Sequence, residues 1–362
     1  MDFPRNLFIE NAKREGHSEE YLTNTLEYID SLKEKNLPVI FSLMHYSNLV
    51  GVDFDEIKRI IENRRYHYSF YLIKKKKSGY RRIVSPHTPI KFLQDWIKIN
   101  ILDKVKVHPS ATGFVKGKSI LDNAKAHENS DVILNLDLEN FFESITERRV
   151  YGIFASLGYS KNLSVEFAKI CTVKIAHDKY QELSELEQDY FKDLYISTES
   201  VLVQGASTSP CLSNLICKRL DYRLSALANK HGINYSRYAD DITFSGTSDS
   251  LPSINLLKRI IEEEDLSINW RKYGKYKKGQ KQLVTGLLIN NKVRVPKKYK
   301  KEIYRHLFFC KKYGAISHFN RIAPNKGYRR EWILGKILYI NAIEPDEAKK
   351  MFELVKQINW EI

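Results

Sequence analysis

The segment INYSRYADDITF, residues 233 to 244, places two adjacent carboxylates, Asp240 and Asp241, between two apolar stretches. Residues 242 to 245 alternate apolar and polar side chains, and the whole segment predicts a β-hairpin that presents the acids at its tip. Mg²⁺ prefers oxygen ligands and is often held by one or two carboxylates together with substrate phosphates. Aspartate also favours turns for local reasons, so this pair alone leaves both a metal site and a solvated turn open.

A further acid, Asp137, ends the nearly continuous apolar run VILNLD at residues 132 to 137. Such a run indicates a buried central strand, which delivers the carboxylate to its own end. The alternative is that Asp137 caps a helix that follows it. A buried strand ending in one acid and a hairpin carrying two can bring three carboxylates together, which is typical of a two-metal site for phosphoryl chemistry.

The charge of the chain is concentrated in one region. The 362 residues, enough for two or three packed subdomains, carry a formal net charge of +15. Fifteen Lys or Arg residues between Asn269 and Tyr313 face a single acid, Glu302. Tyr and Phe residues lie among these cations, which is typical of nucleic-acid surfaces where rings stack on bases. A merely solvated basic face is the alternative.

Cysteine content and hydropathy exclude several classes of protein. The four cysteines have no CxxC spacing, so we expect neither a zinc site nor a disulfide framework, and we expect a reducing compartment. The sequence contains no signal peptide and no apolar run of about 18 residues, and it therefore predicts a cytoplasmic protein without a membrane partner.

Local patterns predict the remaining elements of an α+β chain. A hairpin between Tyr66 and Val84 turns at Ser78-Gly79 and carries Lys74 to Lys77 with two arginines, which predicts a phosphate clamp, although edge strands also carry lysines against aggregation. The polar segment from Val173 to Val201 is expected to be a helical insertion with limited core contact. Gln282 to Ile289 is predicted to be a strand. Further helices are predicted after Ser18 and Pro89, at Leu212–Leu220, Glu302–Phe309 and Glu331–Asn341.

These motifs, in this order, resemble those of reverse transcriptases and specifically of the bacterial retron type. The resemblance covers about residues 65 to 310. It rests on Asp137 with Phe142 five residues on, on Gln204-Gly205 with Ser209-Pro210, and on the tetrad Tyr238-Ala239-Asp240-Asp241. Two further strings are similar to those that retron enzymes use to engage their own RNA, namely Asn123-Ala124-x-x-His127 and Val284-Thr285-Gly286. The chain departs from the pattern at Val203 and Ser207, where prolines are usual.

The resemblance implies a right-hand polymerase with fingers, a palm made of an antiparallel sheet backed by helices, and a mainly helical thumb. The implied division is an N-terminal helical extension over residues 1–64, fingers mainly over 65–130, a palm over 131–290 with the insertion at about 173–201, and a thumb over 291–362.

The resemblance also implies roles for individual residues. Asp137 and Asp240, with Asp241 in support and the backbone carbonyl of Leu138, would ligate two Mg²⁺ ions, for which Mn²⁺ is a substitute. Phe142 would be the steric gate against a 2′-hydroxyl, and its neighbour Phe141 is a competing candidate. The implied nucleotide-binding residues are Arg81, with Arg82 as an alternative, Gln204, Gly205 and Lys272, and Arg271 and Lys275 compete with Lys272 for the pyrophosphate. RNA-binding residues would be Asn123, His127, Val284, Thr285 and Gly286.

The implied activity is that of an RNA-directed DNA polymerase that uses dNTPs. The enzyme would copy a structured noncoding RNA from an internal guanosine 2′-hydroxyl into a branched RNA–DNA hybrid (msDNA), and would act in anti-phage defence with a separate effector protein. One alternative is another bacterial reverse transcriptase, such as a group II intron maturase or a defence enzyme without a retron RNA. The other is a non-catalytic RNA-binding scaffold, against which the three crowded carboxylates argue because only a metal would neutralise them.

Overall fold

The computed structural model describes residues 3–75, 79–322 and 329–360. The chain divides into two compact units, each with its own hydrophobic core. The first unit comprises Met1–Phe114, Leu138–Arg223 and Lys258–Ser267, and the second comprises Val115–Asp137, Leu224–Leu257 and Ile268–Ile362. None of the described helices combines the length and the apolar content that crossing a bilayer requires.

Helices outnumber strands in the described part of the chain. In chain order, the helices are α1 (Arg5–Arg14), α2 (Glu19–Glu34), α3 (Leu43–Val50), α4 (Phe54–Glu62), α5 (Thr88–Asn100), α6 (Ile120–Lys125), α7 (Glu147–Leu157), α8 (Lys161–Cys171), α9 (His177–Gln181), α10 (Glu185–Ile196), α11 (Ser209–Ile216), α12 (Lys218–Lys230), α13 (Ile254–Glu262), α14 (Lys297–Tyr313), α15 (Ala315–Ile322), α16 (Arg329–Asn341) and α17 (Pro345–Lys356). The strands are β1 (Tyr68–Lys74), β2 (Tyr80–Pro86), β3 (Val132–Asp137), β4 (Asn234–Tyr238), β5 (Asp241–Gly246), β6 (Gly274–Lys277), β7 (Leu283–Val284) and β8 (Leu287–Leu288).

The first unit packs helices around the β1–β2 hairpin. The Ser18 side chain accepts a hydrogen bond from the backbone of Tyr21, so α2 begins where its N-cap predicts. Strands β1 and β2 form the predicted antiparallel pair, with Ile73 opposite Arg81. Part of the predicted clamp, Lys76 and Lys77 with the turn residue Ser78, lies outside the described residues.

The segment from Val173 to Val201 contributes more to the core of the first unit than the sequence suggests. Val173 and Val201 pair through a β-bridge, and helix α10 buries Phe191 and Leu194 against the same core. The expectation of limited core contact was therefore wrong. The apolar stripe of α10 is short, and the polar composition of the rest of the segment obscures it.

The second unit contains a four-stranded antiparallel sheet in the order β4-β5-β3-β6. Strand β3 is buried along most of its length, as its apolar sequence predicts, and it pairs with β5 so that Asp137 lies directly opposite Asp241. The predicted hairpin is β4–β5, joined by the two-residue turn Ala239-Asp240. Asp241 is therefore the first residue of β5 rather than part of the turn.

A second hairpin in this unit corrects one prediction. Residues 282–289 form two short strands, β7 and β8, instead of the single strand expected. Thr285 and Gly286 connect them with φ values of +46° and +83°. A two-residue loop with both φ values positive is a type I′ turn, which joins tightly paired antiparallel strands. The apolar residues on both sides concealed this turn, since threonine is rarely left-handed.

Helices α14 to α17 complete the core of the second unit. Helix α14 begins after Pro296 and extends the predicted helix at Glu302–Phe309 in both directions, while α16 matches Glu331–Asn341 to within two residues. Their apolar faces bury residues such as Ile303, Phe319 and Ile337. The basic residues of α14 remain mostly on its outer surface.

Candidate active site

Asp137 and Asp241 form the centre of a carboxylate cluster in the second unit. Asp137 is buried, because β3 is the inner strand that carries it, and the pairing of β3 with β5 places Asp241 directly opposite. Burial raises the pKa of Asp241 to about 7, and the negative charges of Asp240 and Asp137 contribute to this rise. Asp241 as a whole residue is exposed, and the rise in pKa belongs to its carboxyl group, which lies near Asp137 and Asp240. Like charges held this close favour a bound cation.

Two side chains from residues 269–272, the segment just before β6, hold the carboxylate of Asp137. Asn269 Nδ2 donates a hydrogen bond of 3.1 Å to Oδ1, and Lys272 Nζ lies 2.6 Å from Oδ2. The backbone N–H of Asn269 also donates to the carbonyl of Asp137. Burial lowers the pKa of Lys272, but its hydrogen bond to Asp137 and the neighbouring carboxylate charges outweigh that effect, and the net pKa is raised. Lys272 is therefore a protonated partner of the cluster.

The geometry distinguishes Lys272 from Arg271 and Lys275, the two other candidates for contact with the pyrophosphate. Residues 270–272 form a short 3₁₀ turn capped by the Asn269 side chain, which accepts a hydrogen bond from the N–H of Arg271. This turn directs Lys272 to the carboxylates, whereas Arg271 is exposed beside it and Lys275 lies on β6 opposite Leu134. Asn269, which sequence reasoning missed, fixes this geometry.

The turn that carries Asp240 is strained and internally supported. Ala239 has a φ of +58°, a left-handed conformation that glycine adopts more cheaply. Its carbonyl accepts a hydrogen bond of 3.0 Å from Nη1 of Arg237, a side chain that is fully buried on β4. Arg237 was also missed from sequence, although its place among alternating residues of a predicted strand is consistent with an inward side chain.

An open cavity of about 370 Å³ lies beside the carboxylates in this unit. It is lined by Asp137, Asp241, Lys272, Tyr238 and the Thr285-Gly286 turn, among others. Asn135 of β3 donates a hydrogen bond of 2.9 Å to the carbonyl of Leu283, so the central strand of the sheet holds the β7–β8 hairpin at the cavity. The catalytic motif and one of the RNA-binding motifs predicted from sequence therefore share one cavity.

The motif Asn123-Ala124-x-x-His127 is buried. His127 bonds both ring nitrogens, Nδ1 to the hydroxyl of Ser245 and Nε2 to that of Ser236, each at 2.7 Å. Asn123 is 1% exposed. Burial lowers the pKa of His127 to about 4, so the ring is neutral at neutral pH. Contact of these two side chains with RNA stays a prediction; both are buried, and the two hydrogen bonds of His127 hold the segment after α6 against the β4–β5 hairpin. Only the hydroxyl partners on distant strands reveal this role.

The residues of the Val284-Thr285-Gly286 motif differ in burial. Val284 is a core residue, whereas Gly286 is exposed and Thr285 is half-buried at the turn. Thr285 Oγ1 donates a hydrogen bond of 3.2 Å to the carbonyl of Ile120. Of the predicted RNA-binding residues, Thr285 and Gly286 are thus the ones best placed to meet a ligand in the cavity.

In the first unit, the two arginines of β2 have different surroundings. Arg82 is held by Asn140 Oδ1 at 2.8 Å, by Glu143 at 3.4 Å and by the carbonyl of Tyr190. Arg81 is exposed. Because an anchored guanidinium is less available to a substrate, the geometry favours Arg81 over Arg82 as a phosphate ligand.

The Gln204-Gly205 loop packs against the backbone of β2. The N–H of Val84 donates a hydrogen bond of 2.9 Å to the carbonyl of Gln204. Gly205 has a φ of +133°, and a Cβ on this residue would lie 2.5 Å from the carbonyl oxygen of Val84. The glycine is therefore required by its close approach to β2. Val203, which stands in place of the usual proline, is buried.

The two adjacent phenylalanines, Phe141 and Phe142, differ in exposure. Phe141 is buried in the fold, whereas Phe142 is half-buried. The ring of Phe142 lies near that of Phe114, with centroids 6.4 Å apart and planes inclined by 43°. Because Phe142 keeps surface with which to meet a substrate and Phe141 does not, the geometry favours Phe142 as the gate.

Comparison with known proteins identifies the class of this chain. The family model described as "Reverse transcriptase (RNA-dependent DNA polymerase)" matches residues 73–287, which is more than half of the chain. The chain therefore belongs to the reverse transcriptase family, with the α+β fold of right-hand polymerases.

Its relatives define the type more narrowly. The retron Ec86 reverse transcriptase of Escherichia coli is 34% identical over 345 residues, covering 91% of this chain and 98% of the relative. The retron Mx162 and Mx65 reverse transcriptases of Myxococcus xanthus are 32% and 31% identical over 78% and 79% of this chain, which spans 59% and 63% of their lengths. A telomerase structure from Candida albicans is 11% identical with a TM-score of 0.43, over 89% of this chain and 70% of that one. The protein is a retron-type reverse transcriptase.

As a reverse transcriptase, the protein is an RNA-directed DNA polymerase that binds an RNA template, uses dNTPs and depends on a divalent metal. The residues present fit such a metal, because three carboxylates of the second unit crowd their charges and raise the pKa of Asp241. Among the described residues, no cluster of three His, Cys, Asp or Glu side chains is preassembled with metal-ligand spacing.

Proposed function

We propose that this enzyme copies a structured noncoding RNA by two-metal nucleotidyl transfer that starts from an RNA 2′-hydroxyl and yields a branched RNA–DNA molecule. The observation that carries the proposal is the arrangement of Asp137 opposite Asp241, with Asp240 in the adjoining turn, beside a cavity that also contains the Thr285-Gly286 turn. Its retron-type relatives support the RNA partner.

Asp137, Asp240 and Asp241, with the Leu138 carbonyl, would hold two Mg²⁺ ions, which Mn²⁺ can replace. When bound, such ions activate the attacking hydroxyl and neutralise charge on the phosphates. Lys272 keeps Asp137 oriented and, being protonated, would supply charge or a proton to the pyrophosphate. Asn269 would hold the carboxylate while Lys272 moves toward the leaving group.

The cavity of the second unit would receive the priming nucleotide. Its volume of about 370 Å³ lies within the range of small-ligand sites, about 300–1,000 Å³. Tyr238 and the Thr285-Gly286 turn would contact the nucleotide while Asp137 and Asp241 lie beside its hydroxyl. The basic residues of α14 would bind the phosphates of the RNA and of the cDNA without reading sequence.

The first unit would select the incoming dNTP. Arg81 would bind the triphosphate, the Gln204-Gly205 loop would border the base pair, and Phe142 would exclude a 2′-hydroxyl. We assign residues 1–64 to an N-terminal extension, mainly 65–130 to fingers, 131–290 to the palm and 291–362 to the thumb. A separate effector protein and a role in anti-phage defence follow from the retron type and are part of the same proposal.

The test replaces Asp240 and Asp241 with alanine and compares the double variant with Asp249→Ala, an exposed acid of the same unit. We expect dNTP incorporation to disappear in the double variant while RNA binding persists, and Asp249→Ala to behave as wild type. Continued synthesis by the double variant would remove the metal assignment.

The RNA part of the proposal has its own readout. Nucleic acid that copurifies with the wild-type protein is digested with RNase or with DNase and analysed by size. A species in which RNA and DNA are covalently joined supports priming from a 2′-hydroxyl. Linear cDNA alone would overturn the proposed priming from a 2′-hydroxyl.

A further inference from the structure

We infer that Phe114 is a specificity-determining positioning residue: its ring backs the ring of Phe142 and thereby sharpens discrimination between deoxyribose and ribose. This inference rests on the proposed role of Phe142 as the sugar gate. No motif of the sequence pointed to Phe114, and both residues belong to the first unit.

The backbone of Phe114 is the first observation. Among the described residues, seven other than glycine have a positive φ, and four of them are Asn or Asp, which tolerate this conformation. The other three are Phe114 at +60°, Ala239 in the catalytic hairpin and Thr285 in the cavity turn. A bulky residue in the left-handed region is strained, and such strain clusters at functional sites. Phe114 therefore shares its unusual conformation with two residues of the active centre.

The exposure of the ring is the second observation. Phe114 is 49% exposed, although hydrophobic rings are normally buried where a site allows it. A strained backbone and an exposed ring both cost stability, so packing alone does not explain phenylalanine at this position. Glycine would satisfy the turn with neither cost.

The turn that carries Phe114 is anchored to the nucleotide-side elements of the first unit. The side-chain amide of Asn214 donates a hydrogen bond of 2.8 Å to the carbonyl of Gly113, and Asn214 is buried. Asn214 lies on α11, the helix that follows the Gln204-Gly205 loop. The backbone next to Phe114 is thus held by the helix that follows the loop proposed to border the incoming nucleotide.

The contact between the rings gives the mechanism. Their centroids are 6.4 Å apart in a tilted arrangement, within the range in which aromatic rings attract one another. Phe141 packs on Phe142 from within the core, at a centroid distance of 5.4 Å. Phe142 therefore contacts one ring that is buried and another that is exposed, which restricts its rotation. A Phe142 ring that cannot rotate away from the sugar excludes a 2′-hydroxyl more strictly.

The decisive experiment measures the ratio of dNTP to rNTP incorporation efficiency for Phe114→Gly. Glycine suits the positive φ, so the variant removes the ring without disturbing the turn. We expect selectivity against rNTPs to fall about two- to twelvefold, the factor that an aromatic pair of ordinary strength supplies. Phe114→Tyr, which keeps the ring, should retain wild-type selectivity. Phe92→Ala, which shortens a side chain that is 47% exposed on α5 of the same unit, is the matched control and should change nothing.

Phe142→Ala separates the failure of the inference from the failure of its premise. If Phe142→Ala leaves sugar selectivity unchanged, the proposed gate is wrong and the role of Phe114 falls with it. If Phe142→Ala lowers selectivity but Phe114→Gly does not, only the inference about Phe114 is overturned. If both lower it, the double variant should be no less selective than Phe142→Ala alone, because Phe114 acts through Phe142. Additive losses would overturn the positioning role, since they would show that Phe114 contacts the sugar itself.

Discussion

Replacing Gly205 with alanine tests how the nucleotide-side loop is held. The added Cβ would lie 2.5 Å from the oxygen and 3.0 Å from the carbon of the Val84 carbonyl, distances at which backbone atoms must move. The same junction contains the hydrogen bond from the Val84 N–H to the Gln204 carbonyl. We therefore expect the loop to shift away from β2 and this bond to weaken.

The contacts at this junction set the size of the effect. Overpacking of this kind costs about 1–3 kcal/mol, and a φ of +133° adds a strain of about 1–3 kcal/mol for any residue with a side chain. Gly51→Ala is the matched control, because Gly51 has a φ of +70° but nothing within 4 Å of the position that a Cβ would take. Gly205→Ala should therefore be less stable than Gly51→Ala by at least about 2 kcal/mol, because the clash adds to a backbone strain that is no smaller at φ +133° than at φ +70°.

Thermal unfolding of both variants and the KM for dNTP form the assay. A difference of about 2 kcal/mol corresponds to roughly 4–8 °C in Tm for domains of 150–250 residues, and the KM should rise for Gly205→Ala only. Equal Tm values for the two variants would refute the packing argument. A raised KM with equal Tm values would instead show that Gly205 acts through the nucleotide-binding role that the family resemblance implies.

Three further predictions concern the second unit. Lys272→Met should lower the rate of nucleotide addition about 10²-fold in single-turnover measurements. Lys275→Met is the control and should leave the rate unchanged. Equal losses in the two variants would show that the positive charge matters but that the contact of Lys272 with Asp137 does not. His127 should make stability depend on pH: since folding lowers its pKa to about 4 from about 6.5, its stabilising contribution is full above pH 6.5 and is lost as the pH falls toward 4. Denaturation curves of His127→Asn should therefore vary less with pH over this range than those of wild type, and an equal slope would contradict the assignment. Thr285→Gly should change the free energy of unfolding by no more than about 1 kcal/mol, because relief of strain at φ +46° offsets the lost hydrogen bond to Ile120, and it should impair priming on the native RNA more than extension of a generic primer–template.

The arrangement of Asp137, Asp240 and Asp241 could be predicted because their positions follow from local sequence. An apolar run ending in Asp137 and an alternating segment around Asp240 and Asp241 contain the period and the turn residues that define a strand and a hairpin. Antiparallel pairing of these strands then places Asp137 opposite Asp241.

Features that depend on distant residues could not be predicted in this way. The burial of His127 is explained by Ser236 and Ser245, more than a hundred residues along the chain. Lys272 could not be separated from Arg271 and Lys275, because a single 3₁₀ turn decides which of them reaches the carboxylates. Composition and spacing carry no information on either point.

Three residues with a left-handed backbone conformation combine features set by local sequence with features set by distant residues. Ala239, Thr285 and Phe114 each occupy a backbone position where glycine would cost less, and each is supported by a specific partner: the buried Arg237, the carbonyl of Ile120, and the turn held by Asn214. In Thr285 and Phe114 the side chain itself gives the reason, a hydroxyl at the cavity and a ring beside Phe142. Glycine at either position would keep the turn and remove the side chain, and at Thr285 the relief of backbone strain would offset the lost hydrogen bond to Ile120. Substitution by glycine, which usually loosens a fold, therefore isolates the function of these two turns from their conformation.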